Sequence, residues 1–375
     1  MKSLLLLSLG HFFVDLYSGA LGALQPWLVE RHRLSLTQAG ILGGLLVFSS
    51  SVMQPVYGVI SDRLRKPVFV ALGPLVAAVF ISALGLAPGF WALLTMVCLG
   101  GAGIAAFHPE GSAMAAAHLE GSRGRMMAIF ISAGTLGFGL GPTYFSSVVS
   151  AFGLERTWLA AVPGVAASLL LAFALRGTLP NPRSPAGRGQ WRTLASVWRP
   201  LAILYALVFL RSIVQITYAQ LLPLYLYRER GYSAKVASYT LTAYLLFGAL
   251  GGFVGGHLAD RLGGRRVILL SMAGAAPPLA LFFLADGALA LAGLVLGGLI
   301  LLFTVPVNVI MAQELVPSQA GTVSALMMGF AWGVAGLIFI PVTGILADRF
   351  SMHAALAAWT AFPLLGFLLA LRLPK

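Results

Sequence analysis

The chain offers only 11 acidic residues and 6 histidines over 375 positions, and a few of them stand in stretches where nothing else is polar. In GGAGIAAFHPEGSAMAAA, Gly100 to Ala117, a histidine, a proline and a glutamate interrupt a run of apolar and small residues. An isolated carboxylate in hydrocarbon costs several kcal/mol or more, so Glu110 must be paired, protonated or facing water. That makes it a functional candidate by default. Pro109 removes one backbone donor beside it, where a bent helix can open toward a cavity. His108 and Glu110 lie about 200° apart on a helix, so they face different neighbours and form no paired site. His11 and Asp15 are four residues apart and share one helix face. The candidates for handling protons are thus Glu110, Asp15, His11 and His108, with Glu110 in the driest setting and therefore the better carrier. Each histidine also has a structural alternative, a hydrogen bond to a helix carbonyl.

Arg211 is the other strong signal. Its guanidinium stays charged at any relevant pH, and its fork matches carboxylate or phosphonate oxygens in pairs. Gln215 and Tyr218 follow at helical spacing on the same face and supply neutral hydrogen bonds; Tyr244 and Asn308 are further candidates for lining a substrate site. The alternative is an Arg211–Asp15 pair that joins two parts of the chain without touching a ligand.

These side chains must be positioned inside a membrane. With 59% hydrophobic and 9% charged residues and a mean hydropathy of +0.92, the chain has too little polar surface for a soluble globule of its length. Apolar runs long enough to cross the hydrocarbon layer predict twelve spans, near 3–29, 37–60, 67–87, 90–117, 126–150, 156–176, 200–227, 235–259, 266–285, 288–312, 320–346 and 353–372. The first run extends well beyond a signal-peptide core and reads as a span.

The formal charge of +13 would suit nucleic acid in a soluble protein, but its placement argues against that. Of the 24 lysines and arginines, Arg31, Arg33, Arg156, Arg228, Arg230, Lys235 and Arg349 fall on one side of the membrane and Arg211 within a span. All the others fall on the opposite side, the positive-inside signature that puts both termini in the cytoplasm. A basic face toward anionic lipid accounts for the charge without nucleic acid. Cys98 is the only cysteine, so no intramolecular disulfide is expected.

Between Arg176 and Pro200 the sequence turns polar, with several prolines and arginines and no acid. It reads as a cytoplasmic linker over 177–199, with a short interfacial helix around Trp191 to Trp198. The chain divides into six-helix bundles over 1–176 and 200–375. An internal repeat supports the division: GVISDRLRK, Gly58 to Lys66, recurs as GHLADRLGGRR, Gly256 to Arg266. The expected fold is all-α, twelve transmembrane helices in two pseudo-symmetric bundles, the plan of secondary transporters whose site lies between repeats near the midplane.

The repeated Gly-x-x-x-Asp-Arg pattern followed by basic residues resembles the signature loop of the major facilitator superfamily. Gly134, Gly137, Gly139, Gly141 and Pro142 resemble that superfamily's antiporter motif, without the glycine pair that usually follows the proline. GHFFVDLY (Gly10 to Tyr17), AAFHPEGSAMA (Ala105 to Ala115), FLRSIVQ (Phe209 to Gln215) and VPVNVIMAQELVP (Val305 to Pro317) together resemble the fosmidomycin-resistance branch. The resemblance implies the major facilitator fold and export of a small drug-like compound, such as a phosphonate antibiotic, in exchange for protons. It also implies that Asp62, Arg63 and Arg65 with Asp260, Arg261 and Arg265 latch one state of a gate, which Glu314 at the end of span 10 could join.

The expected function is proton-coupled efflux of a drug-like or organic-anion compound by alternating access, from a multi-pass protein of a bacterial-type cytoplasmic membrane. Its expected partners are the small-molecule substrate, protons and lipid, and the chain is expected to be a monomer. Proton-coupled uptake of an organic anion uses the same residues and stays open. A membrane-embedded enzyme built on His108 and Glu110 is a remote alternative, because no His-Glu-x-x-His pair, convergent metal-ligand set or nucleophile with a base partner is evident. No metal, cofactor or ATP use is expected, since no glycine cluster has the Lys-Ser/Thr ending of a phosphate loop.

Overall fold

The computed structural model describes residues 2–64, 66–117, 123–175 and 196–373; the expected linker therefore lies outside the described residues except at 196–199. Among the described residues, twelve helices are long and apolar enough to cross a membrane. They are α1 (Ser3–His32), α2 (Leu36–Arg63), α3 (Phe69–Leu86), α4 (Phe90–Ala116), α5 (Met127–Phe152), α6 (Leu154–Ala174), α7 (Trp198–Arg228), α8 (Ala234–Leu262), α9 (Gly264–Leu284), α10 (Gly287–Leu315), α11 (Val323–Arg349) and α12 (Met352–Ala370). Each falls within a few residues of a run read from the sequence, and there is no strand among the described residues. Only helices and closed barrels leave no backbone group unbonded in hydrocarbon. The outward faces remain apolar, with Leu5, Phe173, Phe253, Leu284 and Leu368 exposed, as a surface facing lipid requires. The chain is a multi-pass membrane protein.

Local chemistry sets the ends and breaks of the spans. Ser35 starts α2 with a capping box: its hydroxyl accepts from the Gln38 N–H, and its own N–H donates to the Gln38 side chain, both at 3.0 Å. The turn before it passes through Arg33 at φ 51°. Midway along α2 a π turn spans Phe48–Val52, where the Ser49 hydroxyl bonds back to the Leu45 carbonyl at 2.8 Å. Such back-bonding satisfies carbonyls that a widened turn would leave open. A second π turn, Leu326–Phe330, interrupts α11.

By contacts the chain falls into two compact units, Met1–Arg183 with Gln220–Thr242, and Ser184–Ala219 with Ala243–Lys375. In the first unit α1 lies along α5, and α3 packs on both α4 and α6. The second repeats that logic, α9 packing on α10 and α12 and a Phe209–Phe339 ring pair joining α7 to α11. A buried cluster of Leu204, Leu207, Val267, Met272, Val307 and Met327 forms its core. In the first unit Thr143 donates to the Thr242 hydroxyl at 2.8 Å, and Tyr227 donates to Glu30.

The α1–α5 contact explains the glycine series. A Cβ at Gly137 would run into the Phe12 carbonyl and one at Gly141 into the Leu16 carbonyl, while Gly19 faces the Phe138 carbonyl in the same way. Backbone meets backbone along this seam, which only small residues allow. Gly137→Val is therefore expected to lower the thermal stability of the detergent-solubilised protein by about 1–3 kcal/mol, as overpacking does. Gly89→Ala, whose Cβ meets nothing within 4 Å, should leave the unfolding midpoint where it is.

Candidate functional site

Three of the four residues expected to handle protons come together in the first unit. His11 and Asp15 lie one turn apart on α1, and His108 reaches the same carboxylate from α4. His11 Nε2 stands 3.3 Å from Asp15 Oδ2, and His108 Nε2 stands 3.2 Å from Asp15 Oδ1. The other nitrogen of each ring is already committed: His11 Nδ1–H donates to the Phe130 carbonyl, and His108 Nδ1–H to the Ile104 carbonyl, both at 2.8 Å. The structural alternative weighed for each histidine is thus realised at Nδ1, and it leaves Nε2 free to act. The His11 ring stacks on Phe130 at 4.3 Å and meets the His108 ring edge-on at 5.2 Å. Gly134 of α5 lies against the group, since a Cβ there would come within 2.6 Å of Asp15 Oδ2.

The donor atoms of His11, Asp15 and His108 lie within 4.8 Å of one another, the one such group of histidine, cysteine and acidic residues among those described. Each imidazole meets a different carboxylate oxygen. That is the arrangement of two side-by-side hydrogen bonds. Asp15 and His108 keep 18% and 21% of their side-chain surface exposed, so the cluster is open on one side.

Glu110 is fully buried and turns the other way. Its carboxylate accepts from the Ser61 hydroxyl of α2 at 2.8 Å and from the Val70 backbone N–H at 2.7 Å. Val70 is in the first turn of α3, where N–H groups lack helical partners and the helix dipole favours an anion. Of the three settings open to a carboxylate in this stretch, Glu110 takes the paired one, and it joins α2 and α3 to α4. Pro109 does not end α4, which runs on to Ala116, and Gly58 of α2 lies against the proline ring.

Arg211 belongs to the second unit and is 5% exposed. Its Nη1 donates to Gln215 and its Nη2 to the Ser212 hydroxyl at 3.2 Å, both on its own helix. No acidic partner faces it among the described residues, and its Nε–H has no acceptor; Asp15 is instead held by the two histidines. Tyr244 of α8 stands close enough to feel the guanidinium's charge, and its buried hydroxyl has no partner. Tyr218 packs on Tyr244 and donates to the Leu356 carbonyl at 3.2 Å, which commits it to holding α12. Asn308 of α10 is fully buried with neither amide atom bonded.

The residues expected at the gate occupy helix ends. Asp62 and Arg63 are exposed where α2 stops, Asp260 and Arg261 where α8 stops, and Glu314 one residue before the end of α10. Arg65 lies outside the described residues. Arg265, at the start of α9, donates to the Leu371 carbonyl at 3.1 Å and so anchors α9 to the end of α12.

Sequence reasoning did not find Ser61, Ser212, Gly134 or the Phe130 carbonyl as members of these sites. Ser61 and Ser212 adjoin Asp62 and Arg211, a weak signal for a small hydroxyl; a backbone carbonyl leaves no mark in the sequence.

Twelve apolar spans that enclose buried ionisable groups define a polytopic membrane carrier. The sequence pattern of the Major Facilitator Superfamily matches residues 7–339 and 204–375, and the chain belongs to that family of transporters. Two relatives run nearly its whole length. The uncharacterized MFS-type transporter YfnC of Bacillus subtilis (strain 168) is 32% identical over 381 residues, covering 99% of this chain and 92% of the relative. The fosmidomycin resistance protein of Escherichia coli (strain K12) is 29% identical over 373 residues, covering 96% and 90%. Among solved structures, a bacterial homolog to the human lysosomal transporter Spinster, inward-facing and occupied, superposes with a TM-score of 0.84 at 15% identity, covering 98% of this chain and 95% of the other. The nucleoside transporter NupG superposes with a TM-score of 0.75 at 14% identity, covering 100% and 99%. These two likenesses establish the fold.

Because the Glu110 carboxylate accepts two hydrogen bonds in a dry setting, Glu110→Gln is expected to cost about 1.5–3 kcal/mol of stability, the usual range for bonds to a charged group. Thermal unfolding in detergent measures it, and an unchanged midpoint would show that the α2–α3–α4 junction does not depend on the charge.

Proposed function

We propose that this transporter exports a small organic anion, of the class that includes phosphonate antibiotics, in exchange for protons, by alternating access in a bacterial-type cytoplasmic membrane with both termini in the cytoplasm. The observation that carries the anion is Arg211. A buried guanidinium with no carboxylate opposite it is destabilising by itself, and a bound anion offsets that cost. Its fork, steadied by Gln215 and Ser212, is suited to a phosphonate or carboxylate group. The Tyr244 hydroxyl and the Asn308 amide, buried and unbonded, are the neutral groups that would complete the cargo's contacts. The name of the Escherichia coli relative supplies the drug class.

The proton side of the exchange falls to His11, Asp15 and His108. Imidazole is the side chain whose ordinary titration lies between about pH 5 and 8, and here two imidazoles share one acid. Glu110 serves as a positioning residue, holding α3 and α2 against the helix that carries His108. Asp62, Arg63 and Arg65 with Asp260, Arg261, Arg265 and Glu314 are proposed to act at the cytoplasmic gate. Coupling requires that proton-loaded and cargo-loaded forms cross between faces while the empty form does not; only a ligand that interacts differently with the two states can shift them.

The test is transport in proteoliposomes under an imposed pH gradient, with fosmidomycin and a panel of organic anions, paired with direct binding measurements. Arg211→Ala is expected to weaken anion binding at least about tenfold, since a charge-assisted bidentate contact is lost. Arg211→Lys, which keeps the charge and loses the fork, should recover part of it. Unchanged affinity in Arg211→Ala would remove the arginine from the cargo site. Collapse of the pH gradient should stop uphill movement in the wild type, and continued pumping would remove protons from the scheme.

A further inference from the structure

We infer that the His11–Asp15–His108 cluster is a store for two protons, one at each contact with the Asp15 carboxylate. The use of the store in transport rests on the proton-coupled reading above; its existence rests on the ring geometry alone.

A backbone carbonyl only accepts, so the bonds to Phe130 and Ile104, as they stand, put a hydrogen on Nδ1 of both rings. The neutral form of each ring must then present a bare lone pair at Nε2. Both Nε2 atoms face carboxylate oxygens at 3.2–3.3 Å. With no proton in either gap, acceptor faces acceptor and the contact is repulsive. Each contact therefore needs one proton, taken from water, and two separate oxygens are engaged, so the observed arrangement holds two. Whether a given proton resides on nitrogen or oxygen does not alter that number.

The formal charge of the group follows. Loaded with two protons it carries one positive charge, with one it is neutral, and empty it is a single carboxylate against two lone pairs. His11 and Asp15 belong to α1 and His108 to α4, so of the two carboxylate contacts the His108 one bridges the two helices. Unloading leaves the carboxylate without a donor.

Among the described residues, no other titratable group of the surrounding helices faces the cluster. On α1, Tyr17 donates to the Ala160 carbonyl. On α4, Glu110 is turned to Ser61 and Val70, and Cys98 lies more than two turns before His108. On α5, Tyr144 donates to the same Ala160 carbonyl, and at the cluster itself that helix presents Gly134. The span α3 contains no acid, base, tyrosine or cysteine. On α6, Glu155 is paired with Arg31 at 3.2 Å and adjoins Arg156. On α2, which packs against α4, Asp62 and Arg63 are exposed at its end. The exposed faces of Asp15 and His108 give protons their way in.

The test is proton uptake by the purified, detergent-solubilised full chain, moved from about pH 8 to about pH 5.5 across the imidazole range in weakly buffered solution. Relative to wild type, His11→Gln and His108→Gln should each take up about one proton fewer and the double variant about two fewer. A double variant that takes up no fewer than either single one overturns the store. A measurement without substitutions guards against misfolded variants: nitrogen NMR of protein labelled at histidine. Wherever along the titration the two rings lose their second proton, both should pass to the Nδ1–H form, which is the minor neutral form of free imidazole side chains. If only one ring or none is in that form, the fixed tautomers and the two-proton count fail together. Either assay can succeed while transport of the anion panel fails, so the store and the transport reading are tested separately.

Discussion

The constraint on which this structure depends is that hydrocarbon offers no partner to a polar group. Every ionisable side chain within the spans must find its partner inside the protein or wait for one. Asp15, His11 and His108 meet that demand among themselves, and Glu110 meets it with a serine and an unpaired helix N–H. Arg211 is buried without an acidic partner among the described residues. Its bonds to Gln215 and Ser212 satisfy part of the guanidinium but do not oppose its charge. The distribution of satisfied and unsatisfied groups separates what holds the protein together from what it is free to bind.

Much of the fold can be read from the sequence because the signal is collective. A run of about twenty apolar residues has few alternatives to a membrane helix, so the twelve spans follow from composition along the chain. The same reasoning reaches the helix face: His11 and Asp15 are four apart, and the bond between them needs nothing beyond helical periodicity. Charge asymmetry and the repeated Asp-Arg loops add expectations of orientation and of two halves by the same kind of argument.

The contacts between helices were less legible. That His108 meets Asp15 depends on which faces of α1 and α4 oppose each other, a matter settled by packing across about a hundred residues of chain. Glu110 shows the limit more sharply. It stood out as the most conspicuous group in the sequence, yet its partners are a hydroxyl that any surface serine could supply and a backbone N–H that no residue type announces. The Phe130 carbonyl, which fixes the His11 tautomer, is invisible for the same reason. Sequence conspicuity located the polar positions; tertiary geometry decided which of them are shared, which are anchored and which are left open.

The glycines of α5 have a consequence beyond close approach. Where Gly137 and Gly141 rest on the carbonyls of Phe12 and Leu16, any added side chain would push α1 outward as a whole. The depth of that seam also sets how far the His11 ring stands from the Phe130 carbonyl it bonds. Two hydrogens in place of two methyl groups thus hold an imidazole within reach of its acceptor a full turn away.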